Sequence, residues 1–547
     1  NPELYKYTSY TILEDLVPMR KFEYESPRHN QGVDYGAYRF GWEMHAVWLF
    51  YRMTGQSVFD DNIKSLPYYW LYMRLPDGYM LRDGDMFSVK FGGDKPLYWK
   101  QQQTMLLSTA YANDLLSKGE SERQGGLPDN PVLFLLVNDP LLKADHNLSS
   151  LPLTKDFGTV LGGMVARTGW DNKETSKDVI AEIKGGGYIF GNHQQADAGS
   201  LQIYHHGIQV GDIGLYLSYG TPYDFNFNKR SIAHSMMLAV DPQEPLLFRT
   251  KVRDGGTRFN QRFPLTPQQV TSDPWFDNGK VLSADFGPSK LKPSFSYFKV
   301  DLTAAYSVKM SNYTRGFCFL NLERADVPAV IILTDDMTTA EPGFKKFWQI
   351  NTLNKPEELN GSLVLKNELA GLVGKTHVNM LVPSVAERTV EVLNGEDANS
   401  TFGQQYKIVS PKAEARANRI MVSPKNAGKQ DKFLTVFQMT EGDAKPLPLD
   451  FKEIGGRYQI VLADRLVSMS SGSVLLQSPF TIDVSNKSVY EFVLLGMKPG
   501  FWNVKSSDGK VNFNYNVIPG KNTICFKAEG GKYSVTPGRS YDAGDLK

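Results

Sequence analysis

The window GNHQQADAGSLQIYHHGIQVGDIG, Gly191–Gly214, holds the most unusual set of polar residues in the chain. If HQQAD is extended, His193, Gln195 and Asp197 point to one side, because side chains alternate along a strand. Three groups that can move protons or hold a cation, just before an apolar run, suggest a site. A polar strand end facing water gives the same pattern. Asp212 follows in an otherwise apolar stretch, and His234 lies in SIAHSMMLAV among Ala, Ile and Met. A histidine in such a run is either a satisfied core residue or a ligand. Spacing alone does not decide between them.

A second constellation lies nearer the start. Tyr35 and Arg39 are four residues apart and so are neighbours on one face of a helix, and Glu43 continues the stripe. One reading is a surface Arg39–Glu43 ion pair of little energetic weight. The other is a phenol beside a guanidinium. A nearby cation favours the phenolate, and a phenolate can abstract a carbon-bound proton.

Helices are expected to carry the second set and strands the first. In YGAYRFGWEMHAVWLFYRMTG, Phe40, Met44, Val47, Trp48 and Tyr51 recur at helical spacing, and Gly55 is a stop signal. DNIKSLPYYWLYMRL, with Pro67 inside it, and YWKQQQTMLLSTAYANDLL suggest two further helices, with LRDGDMFSVKFGGDKP as a loop between them. Repeated amphipathic helices in antiparallel hairpins suggest an α/α bundle or toroid. After Leu151 the pattern changes to short runs rich in Val, Ile and aromatics, such as GTVLGGMVARTGW, VIAEIKGGGYIF, AVIILTDDM and YQIVLADRLVSM. The expected architecture is α+β and multidomain: a partial α/α toroid over 1–150, a large antiparallel β-sandwich over 151–440, and a smaller β-domain over 441–547.

Composition sets bounds. A chain of 547 residues has room for about three domains. A net charge of +1 provides no global field for a polyanion, so an acidic ligand needs a local basic lining. No basic tail suited to nucleic acid is present, and no apolar run is long enough to span a membrane. Cys318 and Cys525 lie far apart and form no metal cluster by themselves. The start at Asn1-Pro2, without Met or signal sequence, suggests a processed or trimmed product.

MVARTGW, then NHQQADAGSLQIYHHG, then FNKRSIAHSMMLAVDP resemble the heparinase II/III family of polysaccharide lyases in order and spacing. QGVDYGAYRF resembles the catalytic helix of heparinase II, and DFGPSKLKPSFSYFKVDLTAAYSVKM and GFKKFWQINTL resemble its sandwich. The likeness runs from about residue 20 into the C-terminal domain. It implies an α/α toroid followed by β-sandwich domains, with the site in the cleft between them. It also implies Tyr35 as acid and base, Arg39 as its neighbouring arginine, His193 as the active-site histidine and Tyr219 as a second active-site tyrosine. Asp212 and His234 match two metal ligands. Gln195 stands where heparinase II has a histidine, which makes an O,O,N set for one structural divalent ion, Ca²⁺ or Zn²⁺, with Mg²⁺ and Mn²⁺ open. The family's longer helical region supplies another histidine, and only about 30 residues precede Tyr35 here. An incomplete toroid is therefore expected.

The implied reaction is β-elimination on a uronic-acid glycan, with heparin and heparan sulfate favoured. The enzyme takes the proton on C5 and expels the sugar linked at O4, which builds charge on a carboxylate that donors must stabilise. Tyr35 would serve both steps when proton and leaving group lie on one side. His193 would be the base for the opposite epimer. Lys229 and Arg230 are candidates for sulfate or carboxylate subsites, with a solvated basic pair as the alternative; His29 and Asn30 join them as substrate-binding candidates. The expected setting is the bacterial periplasm or exterior, with a homodimer open. Other readings are a lyase on chondroitin, hyaluronan or alginate, a non-catalytic glycan-binding protein, and an inverting toroid glycosidase. The last would need two carboxylates across a cleft, for which Asp34, Asp83 and Asp85 are available.

Overall fold

The computed structural model describes residues 1–86, 101–127, 130–359 and 361–541. Helices come first. The longest among the described residues, Asp34–Thr54, ends at Gly55, whose φ of 71° lets its N–H reach the Tyr51 carbonyl at 2.8 Å. Phe40, Met44 and Val47 are buried on its inner face. Tyr51, expected on that stripe, is exposed instead. Pro67 does not interrupt its helix but starts it: Asp61–Ser65 forms a 3₁₀ turn, and Pro67–Tyr72 follows with Pro67 in the first turn, where a missing N–H costs nothing. The third expected helix is two, Gln101–Ala112 and Leu115–Arg123, the second capped by Asp114 through the Leu116 N–H at 3.1 Å. Residues 98–100 of that expected helix, and 87–96 of the expected loop before it, lie outside the described residues.

From Thr154 the chain is built of sheets whose strands pair antiparallel, except that Arg465–Ser470 runs parallel to Val489–Leu495 in the C-terminal domain. The first is a five-stranded meander from Thr154–Asp156 to Ile208–Val210. It shares a core with an eight-stranded sheet and with a four-stranded sheet that includes Met237–Val240 and Lys345–Thr352. The two-residue period of a strand then divides the eight-stranded sheet between two cores. Along Ala329–Thr339, Ala329, Ile331 and Leu333 enter the core shared with the meander. Val330 and Ile332 point the other way, onto Tyr458, Val467 and Val493 of the C-terminal domain. That domain pairs a five-stranded and a four-stranded sheet around Phe492, Trp502, Ile524 and Val535. Helical region, large antiparallel β region and small C-terminal β-domain thus follow in the order expected.

Several polar residues cross the junction with the C-terminal domain, Ser294 with Glu491, Arg465 with Asn321 and Lys299 with Gly472 among them. Lys299 is buried and gives its ammonium to the Gly472 carbonyl at 2.7 Å. Burial pushes its pKa down to about 8, and Asp336 offsets this only in part. The unfolded chain therefore binds a proton more readily than the folded one, and stability rises as pH climbs from about 8 to the ordinary lysine value. Lys299→Met should raise stability at pH 7 by about 1–2 kcal/mol and abolish that rise. Urea midpoints of both proteins at pH 7 and pH 10 check this; a less stable variant at pH 7 would contradict it.

Candidate active site

Three segments meet at residues 83–85. The helix carrying Tyr35 is tied down at its start, where the Val33 N–H donates to the Asp83 carbonyl at 3.1 Å. Gly32, at φ 74°, passes so close that a Cβ would lie 1.9 Å from that same oxygen. On the other side the Asp85 N–H donates to the His193 carbonyl at 3.1 Å, and His193 Nδ1 lies 2.8 Å from Asp85 Oδ2. A carboxylate only accepts, so Nδ1 carries the proton and Nε2 is left as the basic nitrogen.

This clamp places a helix residue against a loop residue 158 positions later in sequence. The rings of Tyr35 and His193 stack at 3.6 Å between centroids, inclined by 6°. Tyr35 Oη lies 3.4 Å from Tyr216 Oη, and the two rings meet edge to face. Tyr216 is a residue the sequence reading missed; only its place near Tyr219 pointed to it. Burial and the hydrogen bond with Tyr35 hold its hydroxyl well above the ordinary tyrosine pKa. Tyr219 is 45% exposed and donates to Gln261 Oε1 at 3.2 Å.

Asp85 is the other residue not singled out for this role. Beyond His193 it binds the Lys229 ammonium, which also lies 3.4 Å from Asp224 Oδ1. Lys229 sits 5.1 Å from the centre of the Tyr216 ring and 5.8 Å from that of Tyr219, within cation–π range. It is fully buried, so it is not the solvated cation or direct sulfate ligand expected from sequence. Arg230 is likewise buried and bound to Asp254. Its guanidinium is spent on a carboxylate outside the Tyr35–His193 cluster.

Several other expected residues fall in different places. HQQAD is not a strand: residues 193–197 form an irregular loop, and His193 has a left-handed φ of 62°. Strand alternation therefore does not apply. His193 and Gln195 nonetheless converge on Asp85, Gln195 donating to the Gly84 carbonyl at 3.1 Å and to Asp85 Oδ1 at 3.4 Å. Asp197 instead binds Lys184 at 2.6 Å. Arg39 is exposed with its guanidinium 5.2 Å from the Tyr38 ring centre. The Arg39–Glu43 pair does not form, because Glu43 accepts from Arg20 at 2.8 Å and from Tyr24. His29 is buried beneath the helix: a Cβ on Gly36 would lie 3.0 Å from its ring. Burial, then Arg20, holds His29 well below its ordinary pKa, so it is neutral. Asn30 donates to the Phe190 carbonyl at 3.3 Å. Both brace the turn into the helix; the side chain of His29 is fully buried and set back from direct substrate contact, whereas Asn30 is no more buried than His193 and lines a cavity with Phe190 and Phe263.

Beneath the clamp, Arg28 holds Asp83 at 2.7 Å and Glu182 at 3.0 Å, and Lys184 reaches Asp83 at 2.7 Å. Burial opposes ionisation of Asp83, but Arg28 and Lys184 outweigh it and keep the carboxyl well below its ordinary range. A carboxyl held as an anion cannot act as a general acid, and Asp85 is bound to Lys229 and His193. Neither suits the acid of an inverting glycosidase.

Of the implied metal ligands, Asp212 Oδ1 and His234 Nδ1 are 2.9 Å apart. Both ring nitrogens of His234 and Asp212 Oδ1 are buried without a well-formed hydrogen bond, as atoms waiting for a cation would be. Gln195, its amide nitrogen already bound, has its carbonyl oxygen to offer. The three residue types fit a hard or borderline divalent ion.

The heparinase II C-terminal domain family matches residues 451–537. No curated protein sequence matches the chain. Among solved structures it is similar to a mutant of heparan sulfate lyase HepC from Pedobacter heparinus, at 12% identity and a TM-score of 0.49, over 78% of this chain and 56% of that one. It is also similar to a lysine-methylated heparinase III, at 11% identity and a TM-score of 0.47, over 74% of this chain and 51% of that one. A further heparinase III structure aligns at 12% identity and a TM-score of 0.45, over 79% of this chain and 59% of that one. The chain spans between half and three-fifths of the length of these proteins.

Proposed function

We propose, from the premise that residues 451–537 are a heparinase II C-terminal domain, that this chain is a polysaccharide lyase cutting a uronic-acid glycan by β-elimination. Heparin and heparan sulfate are the favoured substrates. The observation that carries this reading is the Tyr35–His193 stack, which joins a phenol from the helical region to an imidazole from the β region.

Elimination needs a base for C5, an acid for O4 and donors for the developing charge on the carboxylate. Tyr35 Oη takes the C5 proton and returns it to O4 when both lie on one side of the ring. For the opposite epimer, His193 Nε2 is the base and Tyr35 the acid, which requires the two stacked rings to part and admit the uronate between them; Asp85 keeps the proton on Nδ1 and so keeps Nε2 available. Arg39 and Tyr219 orient the uronate, and Tyr216 supports the Tyr35 hydroxyl. Lys229 acts from beneath, by neutralising Asp85 and lending its field to Tyr216 and Tyr219.

Gln195, Asp212 and His234 would hold one structural divalent ion. Bound there, it would supply two positive charges that fix the loop of His193 to the segments carrying Asp212 and His234. The enzyme would work in the periplasm or outside the cell, with a homodimer open.

A panel of heparin, heparan sulfate, chondroitin, hyaluronan and alginate, followed by ultraviolet absorbance, tests the reading. Elimination leaves a double bond conjugated with the uronate carboxylate, and hydrolysis does not. Absorbance should grow with heparin or heparan sulfate. Reducing ends appearing without absorbance would overturn the lyase in favour of a hydrolase.

A further inference from the structure

The pair His205-His206 has no place in the chemistry above. It forms the turn between Leu201–Tyr204 and Ile208–Val210, at one end of the meander. Both rings are buried and both aim Nε2 at one carboxylate. His205 Nε2 lies 2.8 Å from Glu441 Oε1, and His206 Nε2 lies 2.9 Å from Oε1 and 3.1 Å from Oε2. Glu441 ends a different element, the strand Gln430–Glu441 of the eight-stranded sheet.

The backbone is shaped around this meeting. His206 is held at φ 53°, a left-handed conformation that costs a non-glycine residue energy and persists only where its surroundings impose it. Gly374, paired with Glu441 across the ladder, makes room for both rings: a Cβ there would lie 2.7 Å from His206 Cδ2 and 2.9 Å from His205 Nδ1. The Nδ1 atoms of both rings are buried without a well-formed hydrogen bond, His205 lying against the Lys375 backbone.

We propose that His205, His206 and Glu441 form a zinc site that staples the turn of the meander to the end of the eight-stranded sheet. The three ligand atoms lie within 4.8 Å of one another, and this is the set of three or more His, Cys, Asp or Glu donors with that convergence among the described residues. Donors on a tetrahedral zinc, bonded at about 2.0–2.1 Å, stand about 3.3 Å apart. Each nitrogen therefore needs to withdraw from the carboxylate by about half an ångström, and the two nitrogens, no more than 4.8 Å apart, need to draw in to that same spacing. Two imidazoles and one carboxylate are a borderline donor set that suits Zn²⁺ over Ca²⁺ or Mg²⁺, with water in the fourth position.

The site shares no residue with Gln195, Asp212 and His234, and the experiment separates the two. Full-length protein stripped with a chelator is titrated with Zn²⁺ alone by calorimetry. His206→Gln and Glu441→Gln should each weaken one zinc equivalent by about 100-fold or more, and Asp212→Asn should leave that equivalent intact. In wild-type protein, which does not depend on the variants folding, Zn²⁺ should slow amide hydrogen exchange at 201–210 and 436–441. Unchanged zinc affinity in both variants, or exchange at those segments that does not respond to Zn²⁺, would overturn the proposal and leave a hydrogen-bonded clamp.

Discussion

Tyr35→Phe should lower kcat by roughly 10²–10⁴ while leaving KM within about threefold. The substitution removes one oxygen and keeps the ring. The stack on His193 at 3.6 Å depends on the ring, so the helix and the His193 loop remain docked. What disappears is the hydroxyl 3.4 Å from Tyr216, which the proposed mechanism uses both to take a proton and to give one. A loss in kcat with binding retained identifies a group acting in the transition state. Turnover near wild type on the best substrate would remove Tyr35 from the mechanism. A large rise in KM with kcat intact would make it a binding residue only.

Lys229→Met should destabilise the fold by about 3–5 kcal/mol, an effect on stability before any effect on rate. The ammonium is fully buried between Asp85 and Asp224, and methionine fills its space without its charge. Two carboxylates would then stay in a poorly solvated site, which is costly unless they gain protons or water. Asp224→Asn combined with Lys229→Met should recover part of the loss, because it removes one of the stranded charges. The shift of the urea midpoint in the single and double variants measures this. A loss under about 1 kcal/mol in the single variant would mean that water reaches the site. His193 would feel the change as well, since Asp85 is shared between the two.

The sequence was most legible where a local period reports a local element. The spacing of Phe40, Met44 and Val47 and the stop at Gly55 marked the helix that carries Tyr35. Runs such as AVIILTDDM marked strands, though not that both faces of that strand are buried or what covers each. The heparinase II resemblance is met at residues 451–537 by the family's C-terminal domain. The reading failed where a polar segment follows no period. HQQAD alternates on paper, but a left-handed His193 turns it into a loop.

Residue types and helical spacing alone thus determined that Tyr35 stands at the head of a long helix, that a β-rich body follows, and that the Gly191–Gly214 window is rich in groups for proton and cation chemistry. Tertiary structure alone decided the partners: Asp85 with His193, Tyr216 with Tyr35, Lys229 between two carboxylates, and His205 and His206 on Glu441. The reason is physical. A charge or lone pair buried by folding must find a complement in the space it enters, and the chain brings that complement from 108 or 236 residues away, where no local pattern in sequence can record it.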